Sequence, residues 1–186
     1  MLPNFKLDPH GKLGERLAKK NIDTFQKAVR YIHMLPYGRP MRPADYWTII
    51  PERKGTCSSK HAYLKALSEE NSIHSIGLSL CIYAMTEQNT PGVGEVLQEF
   101  DLAYLLEAHT YLTYDDMRYD FTFPDRNELS WVPDILIETE IDADQIGDYK
   151  IEFHKSVLED WKKRTKIPYS VTKLMEIREQ CICSLV

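Results

Sequence analysis

The strongest constraint in this sequence is a helix, predicted over residues 57–71, that is apolar round most of its circumference. Its apolar side chains do not fall on a single stripe; they are Ala62, Tyr63, Leu64, Ala66 and Leu67. A helix of this kind is buried on several sides, so the rest of the chain has to surround it. Gly55 and Thr56 precede the helix, which places Cys57 in its first turn.

Strand patterns follow this helix. Residues 74–85 carry apolar side chains at every second position, and residues 108–123 predict two strands around a turn at residues 115–117. Residues 135–142 and 148–153 predict two further strands. A helix followed by strands, with a hairpin and no βαβ units, is typical of an α+β fold with an antiparallel sheet.

Other helices are predicted on both sides of this region. Asn21 is the expected N-cap of an amphipathic helix that ends at Pro36, whereas residues 1–14 are polar and expected to be loose. The apolar face of that helix consists of Ile22, Phe25, Val29 and Ile32. Two more helices are predicted near the C-terminus, at residues 154–164 and 170–181.

The length of 186 residues predicts a single domain over residues 1–186, with a core at about 21–125 and C-terminal strands and helices at about 126–186. The net charge of −5 is mild and the basic residues are scattered, which argues against nucleic acid or an anionic membrane as a partner. No segment is typical of a signal peptide or a transmembrane span. Four cysteines are too few for a disulfide scaffold, so a cytoplasmic location is expected.

Cys57 is the candidate nucleophile. In the first turn of a helix, the N–H groups and the positive end of the helix dipole favour thiolate over thiol. The backbone N–H of Cys57 is also a candidate donor to an oxyanion. The alternative is that Cys57 is a small buried helix residue, as most cysteines are.

His109 and Asp120 lie on the two strands of the predicted hairpin. If the turn has an even number of residues, the two side chains share a face and lie near each other; an odd turn without a bulge would separate them. In such a set a thiolate attacks a carbonyl, an imidazole transfers the proton and a carboxylate fixes its tautomer. We therefore expect Cys57 Sγ within about 4 Å of a His109 ring nitrogen.

Two blocks of the sequence resemble the transglutaminase-like superfamily, within the papain-like cysteine enzymes. ERKGTCSSKHAYLKALSEENSI is similar to that family's glycine–X–cysteine helix start, and EAHTYLTYDDMRYDFTF to its histidine strand and its aspartate strand ending in Asp-X-Thr. The resemblance spans roughly residues 50–125 and is to bacterial-type, uncharacterised members. It implies a catalytic triad of Cys57, His109 and Asp120.

The resemblance also implies a fold and an activity. The fold is a papain/transglutaminase-like core, in which the cysteine helix packs on an antiparallel sheet and additional helices follow. The activity is acyl transfer from an amide through a thioester, completed by water in a peptidase or amidase or by an amine in a transglutaminase-type transferase. The expected partner is a protein, peptide or other amide substrate. A non-catalytic protein-binding module with the same fold is the alternative.

The chain departs from this family at several positions. The short separation of His109 from Asp120 implies a tight hairpin, and Tyr111 stands where many members carry tryptophan. No calcium-site signature is present, and no cofactor is expected. The second oxyanion donor has two candidates, Trp47 and Tyr37, and side chains of both types are more often packing residues.

Two other arrangements compete with this triad. His61 is four residues after Cys57 on the predicted helix and is a rival partner for the thiol. A metal site made of Cys57, His61, His74 and Cys81 is not expected. His74 and Cys81 are an odd number of residues apart on one predicted strand, so they face opposite ways.

Overall fold

The computed structural model describes residues 1–125 and 129–185. Its α-helices are α1 (Gly14–Ala18), α2 (Phe25–His33), α3 (Ile49–Glu52), α4 (Cys57–Glu70), α5 (Gly94–Glu99), α6 (Asp148–Thr165) and α7 (Val171–Cys183). Its strands are β1 (Gly77–Met85), β2 (Leu105–Tyr114), β3 (Met117–Tyr119) and β4 (Ile135–Glu140). Short 3₁₀ helices cover Tyr46–Thr48, Val132–Asp134 and Ala143–Ile146.

The four strands form an antiparallel sheet in the order β3-β2-β1-β4, which confirms the predicted α+β class. Strands β2 and β3 form a hairpin in which Tyr114 pairs with Met117. The two residues between them, Asp115 and Asp116, have φ angles of 51° and 57°. Left-handed backbone at both positions is the signature of a type I′ turn, whose twist matches that of the strands. The turn therefore has the even length on which the sequence argument about His109 depends.

The chain divides into two compact units, whose described residues fall in the following segments. The first comprises Met1–Leu80, Thr110–Asn127 and Thr139–Gly147, and the second Cys81–His109, Glu128–Glu138 and Asp148–Val186. In the first unit α4 packs against α2 and two of the 3₁₀ helices, and in the second α7 packs against α5 and α6. The single-domain assignment stays a prediction, and its internal boundary at residue 126 lies outside the described residues.

The segment 148–153, predicted as a strand, is instead the start of α6. The alternation of Tyr149, Ile151 and Phe153 suggested a strand, but Tyr149 and Ile151 are exposed. Burial in α6 recurs at helical spacing, at Lys150, His154, Val157, Leu158 and Trp161. None of the helices within 1–125 and 129–185 is long and apolar enough to cross a membrane.

Helix α2 begins three residues later than predicted. Thr24, not Asn21, is its N-cap, because the Thr24 hydroxyl accepts the Lys27 N–H at 3.4 Å. Asn21 has a φ of 59° and lies in the turn before the helix. At α7, by contrast, the predicted cap is confirmed: Ser170 Oγ accepts a hydrogen bond from the Lys173 N–H at 3.1 Å.

The N-terminal residues are packed and not loose, contrary to the prediction. The apolar side chains of this segment are buried; they are Leu2, Leu7 and Leu13. The Glu70 carboxylate, at the end of α4, accepts hydrogen bonds from the backbone N–H groups of Leu13 and Gly14 at the start of α1. A carboxylate at a helix N-terminus satisfies N–H groups that have no partner within the helix.

The second unit contains a buried ion pair between β2 and α7. Arg178 donates hydrogen bonds to Glu107 from Nε at 2.6 Å and from Nη2 at 2.5 Å, and Glu107 is 3% exposed. Burial raises the pKa of Glu107, but the charge and hydrogen bonds of Arg178, aided by His154 and Lys150, outweigh burial and lower that pKa to about 2. The pair therefore ties α7 to the sheet.

We expect Glu107→Gln to lower the free energy of unfolding at pH 7 by about 1–3 kcal/mol, because it removes the buried carboxylate that accepts two hydrogen bonds from Arg178 and leaves the guanidinium with the half-exposed carboxylate of Glu179, at 3.2 Å, as its anionic partner. The difference between wild type and variant should shrink as the pH falls from about 4.5 towards about 2, the ordinary and the folded pKa of Glu107. The sign follows because the unfolded state takes up the proton first as the pH falls. Urea unfolding measured between pH 2 and pH 7 tests both effects.

Glu176→Gln is the matched control on α7. The Glu176 side chain is 58% exposed and lies 3.5 Å from the Lys173 ammonium. Exposed ion pairs contribute little, so this variant should stay within about 0.5 kcal/mol of wild type. An effect of Glu107→Gln that did not change with pH would contradict the role assigned to its charge.

Candidate active site

Cys57 is the first residue of α4, as predicted, and the helix start is capped from both directions. Thr56 Oγ1 accepts the Ser59 N–H at 3.4 Å, and the Thr56 N–H donates to Ser59 Oγ at 2.9 Å. This reciprocal capping box fixes the first turn of the helix. Cys57 is 6% exposed, and its position at the positive end of the helix dipole favours the thiolate.

Gly55, two residues before Cys57, allows the chain to pass close to α4. A Cβ at this position would lie 2.9 Å from Lys60 Cγ and 3.1 Å from Ser59 Oγ, which is closer than ordinary contact. The backbone of Gly55 donates to the Pro36 carbonyl and accepts from the Gly38 N–H. The glycine of the Gly-X-Cys pattern is therefore required by packing against α4.

His61 lies one turn after Cys57 and is fully buried. Its Nδ1 is 2.7 Å from the carbonyl oxygen of Cys57, and the Phe121 N–H donates to its Nε2 at 2.8 Å. A carbonyl only accepts, so Nδ1 carries the hydrogen and Nε2 accepts through its lone pair. Both ring nitrogens are thus bonded to backbone groups, which is the pattern of a structural histidine. The rival assignment of His61 as the partner of the thiol loses its support.

Asp120 follows directly after β3. Its Oδ1 accepts hydrogen bonds from the Thr122 N–H at 2.9 Å and from the Thr122 hydroxyl at 2.5 Å. The same oxygen lies 3.6 Å from His61 Nε2, beyond hydrogen-bonding distance. In the Asp-X-Thr pattern, therefore, the threonine holds the carboxylate in a fixed orientation.

The second predicted strand of the hairpin is shorter than expected. Strand β3 ends at Tyr119, whereas the sequence predicted it to residue 123. The next backbone groups leave the strand because they bond to α4: the Phe121 N–H to His61, and the Thr122 carbonyl to Lys60. Side chains of a buried helix thus end β3 just before Asp120.

His109 lies on β2, in the second unit, and is 8% exposed. Its ring packs against Trp131, with centroids 4.7 Å apart, and edge-on against Tyr83, with centroids 6.3 Å apart. The Tyr83 hydroxyl is hydrogen-bonded to Thr90 Oγ1 at 3.0 Å. Two aromatic neighbours restrict the orientation of the imidazole. Neither was predicted, because no local pattern relates residue 83 or 131 to residue 109.

In the first unit, one side chain of α4 connects the backbone of Cys57 with the segment that carries Asp120. His61 on α4 bonds to the Cys57 carbonyl and to the Phe121 N–H, the residue after Asp120. His109 is the last residue of the Cys81–His109 segment of the second unit. The contact expected between Cys57 and His109 stays a prediction.

Lys60 is a buried cation that the sequence argument missed. It is 0% exposed, and its ammonium donates hydrogen bonds to the carbonyls of Leu35 at 2.6 Å and Thr122 at 2.8 Å. The carbonyls of His33 and Phe121 lie at 3.3 and 3.4 Å. A signal was available, because a helix buried on several sides must also bury some of its own lysines.

The two candidates for a second oxyanion donor have packing roles. Trp47 packs edge-on against Tyr46, and the Lys12 ammonium lies 5.1 Å from its ring centroid. Tyr37 stacks on Phe123, with ring centroids 4.8 Å apart. Within the described part of the chain, no group of three or more His, Cys, Asp or Glu side chains is arranged to hold a metal ion.

Comparisons with protein-family models, with curated proteins and with solved structures give no match for this chain.

We expect His61→Ala to lower the free energy of unfolding by about 2–4 kcal/mol, because it leaves two buried backbone groups without their partners. The pH profile of Cys57 alkylation should stay that of wild type, since both ring nitrogens of His61 are hydrogen-bonded to backbone groups. Urea unfolding and timed iodoacetamide labelling measure the two effects.

His74→Ala is the control for His61→Ala. His74 is exposed, so its removal should change the free energy of unfolding by less than about 0.5 kcal/mol. A shifted labelling profile in His61→Ala, with His74→Ala unchanged, would restore His61 as the partner of the thiol.

Proposed function

We propose that this protein is a cysteine-dependent acyl-transfer enzyme that acts on an amide. Cys57 is the nucleophile, His109 the general base and acid, and Asp120 the carboxylate that orients the histidine. The observation that carries the proposal is the place of Cys57 as the first residue of a capped 14-residue helix. That position favours the thiolate, which is the reactive form of a cysteine.

The proposed reaction has two half-reactions. In the first, the Cys57 thiolate attacks the amide carbonyl and forms a carbon–sulfur bond, while the backbone N–H of Cys57 stabilises the oxyanion. The carbon–nitrogen bond then breaks, and the His109 imidazolium gives its proton to the leaving amine or ammonia. In the second, water or an amine attacks the thioester, His109 takes the proton, and the thiolate of Cys57 leaves.

The surroundings of His109 and Asp120 support their proposed roles. Trp131 and Tyr83 limit rotation of the His109 ring and shield it from water. A histidine that transfers protons requires such a fixed geometry. An aromatic face also stabilises a nearby imidazolium. The two hydrogen bonds from Thr122 hold the Asp120 carboxylate in one orientation. A carboxylate that selects the tautomer of a histidine has to be held in this way.

The proposal includes a papain/transglutaminase-like core, a cytoplasmic setting in which thiols stay reduced, and a protein or peptide amide as substrate. Completion by water would make the protein a peptidase or amidase, and completion by an amine a transferase. The second candidate function is a non-catalytic protein-binding module of the same fold. It is favoured by the burial of the two reactive groups, because Cys57 is 6% and His109 8% exposed.

Brief exposure to iodoacetamide near pH 6 should alkylate Cys57 ahead of Cys183, the exposed cysteine. An ordinary thiol, with a pKa of about 8.5, is less than about 1% thiolate at that pH. Cys57→Ala should abolish this labelling, and His109→Ala should move it towards about pH 8.5 by removing the cation that stabilises the thiolate. Peptide mass spectrometry identifies the labelled residue.

Cys183→Ala is the matched control, because it removes the exposed thiol and should leave labelling of Cys57 unchanged. Labelling confined to Cys181 or Cys183 would favour the binding module. A labelling profile of Cys57 that did not respond to His109→Ala would exclude this histidine from the site.

Asp120→Asn should preserve the fold and slow turnover, because the amide has the shape of the carboxylate but lacks the charge that stabilises the imidazolium. The equivalent change in a serine triad costs about 10⁴ in rate. A smaller loss is expected for a thiolate–imidazolium pair that is already ionised. Turnover on an acyl substrate and melting temperature are the measurements.

Asp115→Asn and Asp116→Asn are the controls for this variant. Both residues are exposed at the hairpin turn, and asparagine tolerates their left-handed backbone. Each should be nearly silent. Full activity in Asp120→Asn, or a large loss in Asp116→Asn with the fold intact, would move the third role away from Asp120.

A further inference from the structure

We infer that Lys60 is a positioning residue of the candidate active site: its ammonium joins the helix that begins at Cys57 to the segment that carries Asp120. The inference rests on the proposed function, because it assigns to Lys60 the placement and ionisation of two of the three proposed catalytic groups. It makes Lys60 act through Cys57 and Asp120, with no contact to substrate.

The geometry of the ammonium supports this role. Lys60 is three residues after Cys57 on α4, and its Nζ donates to the Thr122 carbonyl at 2.8 Å, two residues after Asp120. A second hydrogen bond, of 2.6 Å, ends on the carbonyl of Leu35, just beyond α2. One buried cation thus connects three segments that are distant in sequence.

The aliphatic part of Lys60 is also held in place. Gly55 leaves room for it, since a Cβ there would lie 2.9 Å from Lys60 Cγ. The side chain therefore passes directly beside the backbone that leads into Cys57. Its path from Gly55 to Thr122 spans the two segments that carry the proposed nucleophile and carboxylate.

The charge of Lys60 acts on the same two groups. Four carbonyl oxygens surround the ammonium, and these are dipoles without net charge. Burial lowers the pKa of Lys60 to about 8, while the charges of Asp120 and Cys57 raise it. The ammonium is therefore charged at pH 7, and because the interaction is mutual it favours the thiolate and the carboxylate.

The charged groups that act on Lys60 lie on its own helix and directly after β3. Cys57 and the structural His61 are on its own helix, and Asp120 follows β3. From α2 the ammonium meets only the carbonyl of His33, whose ring Nε2 lies 2.8 Å from the Phe123 carbonyl. Cys57 and Asp120 are therefore the groups whose ionised forms the Lys60 ammonium stabilises.

The test compares Lys60→Gln with Lys65→Gln. Lys65 is a buried lysine on the same helix, 6% exposed, whose ammonium donates to the Ile76 carbonyl at 2.8 Å and lies 3.1 Å from Glu69. Lys60→Gln should raise the midpoint of the pH profile of Cys57 alkylation by about one unit, so that the rate below the midpoint falls about tenfold. Lys65→Gln should lower the melting temperature without moving the midpoint.

Lys60→Arg tests whether charge is what matters. It retains the cation, so the midpoint should stay near that of wild type even where the larger side chain lowers the melting temperature. A wild-type midpoint in Lys60→Gln, or an equal shift in Lys65→Gln, would overturn the inference.

A second measurement does not depend on a Lys60 variant that folds. The ¹³C signal of the Lys60 side chain, followed by NMR, should titrate at about pH 8 in wild type. It should titrate at a lower pH in Cys57→Ala, which removes the anion that stabilises the ammonium while keeping a good helix former. An identical Lys60 titration in the two proteins would overturn the inference.

These measurements separate the inference from the proposed function. If wild-type Cys57 is not alkylated preferentially near pH 6, the proposed function fails. The Lys60 titration still reports whether the ammonium and the thiol interact. If Cys57 is preferentially alkylated but the Lys60 titration ignores Cys57→Ala, the proposed function stands and the role of Lys60 is wrong.

Discussion

Helix α4 is buried on its polar as well as its apolar sides, and the rest of the site depends on satisfying its polar groups. Three polar side chains of α4 are less than a tenth exposed, and each is hydrogen-bonded to a backbone group of another segment; they are Lys60, His61 and Lys65. Unpaired polar groups at these depths would cost about 1–3 kcal/mol each, and an unpaired cation more. The segments that supply the carbonyls and N–H groups are therefore fixed in place. The segment after β3, with Asp120, is fixed in this way.

Features set by neighbouring residues were predicted well from the sequence. The start of α4 at Cys57 follows from Gly55 and Thr56. The hairpin turn lies within the predicted residues 115–117, although it comprises the two aspartates alone and Met117 already belongs to β3. The strand predicted at residues 148–153 was wrong. Tyr149, Ile151 and Phe153 alternate there, but they lie at the start of a helix that buries a different face. Alternation over six residues does not distinguish a strand from an exposed helix face, and only the longer pattern of buried residues does.

The candidate site was predictable only in its outline, because its details are long-range. Cys57 and Asp120 were expected from motifs, but the burial of Lys60 and the packing of Trp131 on His109 join residues far apart in sequence. His61 shows the same limit. Its spacing from Cys57 is that of a possible catalytic pair, yet its ring nitrogens are bonded to a carbonyl and an N–H of the backbone. Spacing defines which residues can meet, whereas tertiary contacts decide which atoms are used.

The same contacts explain why a cation is buried where an apolar residue would be simpler. Removing an ammonium from water is unfavourable, and carbonyl dipoles offset that cost only in part, as the pKa of Lys60, lowered to about 8, indicates. An apolar side chain of similar volume would be expected to serve stability at least as well. What it would lack is the connection between α4 and the Thr122 carbonyl, and the positive charge near Cys57 and Asp120. Within the proposed function, Lys60 is therefore better explained by the placement of Cys57 and Asp120 than by the requirements of the core.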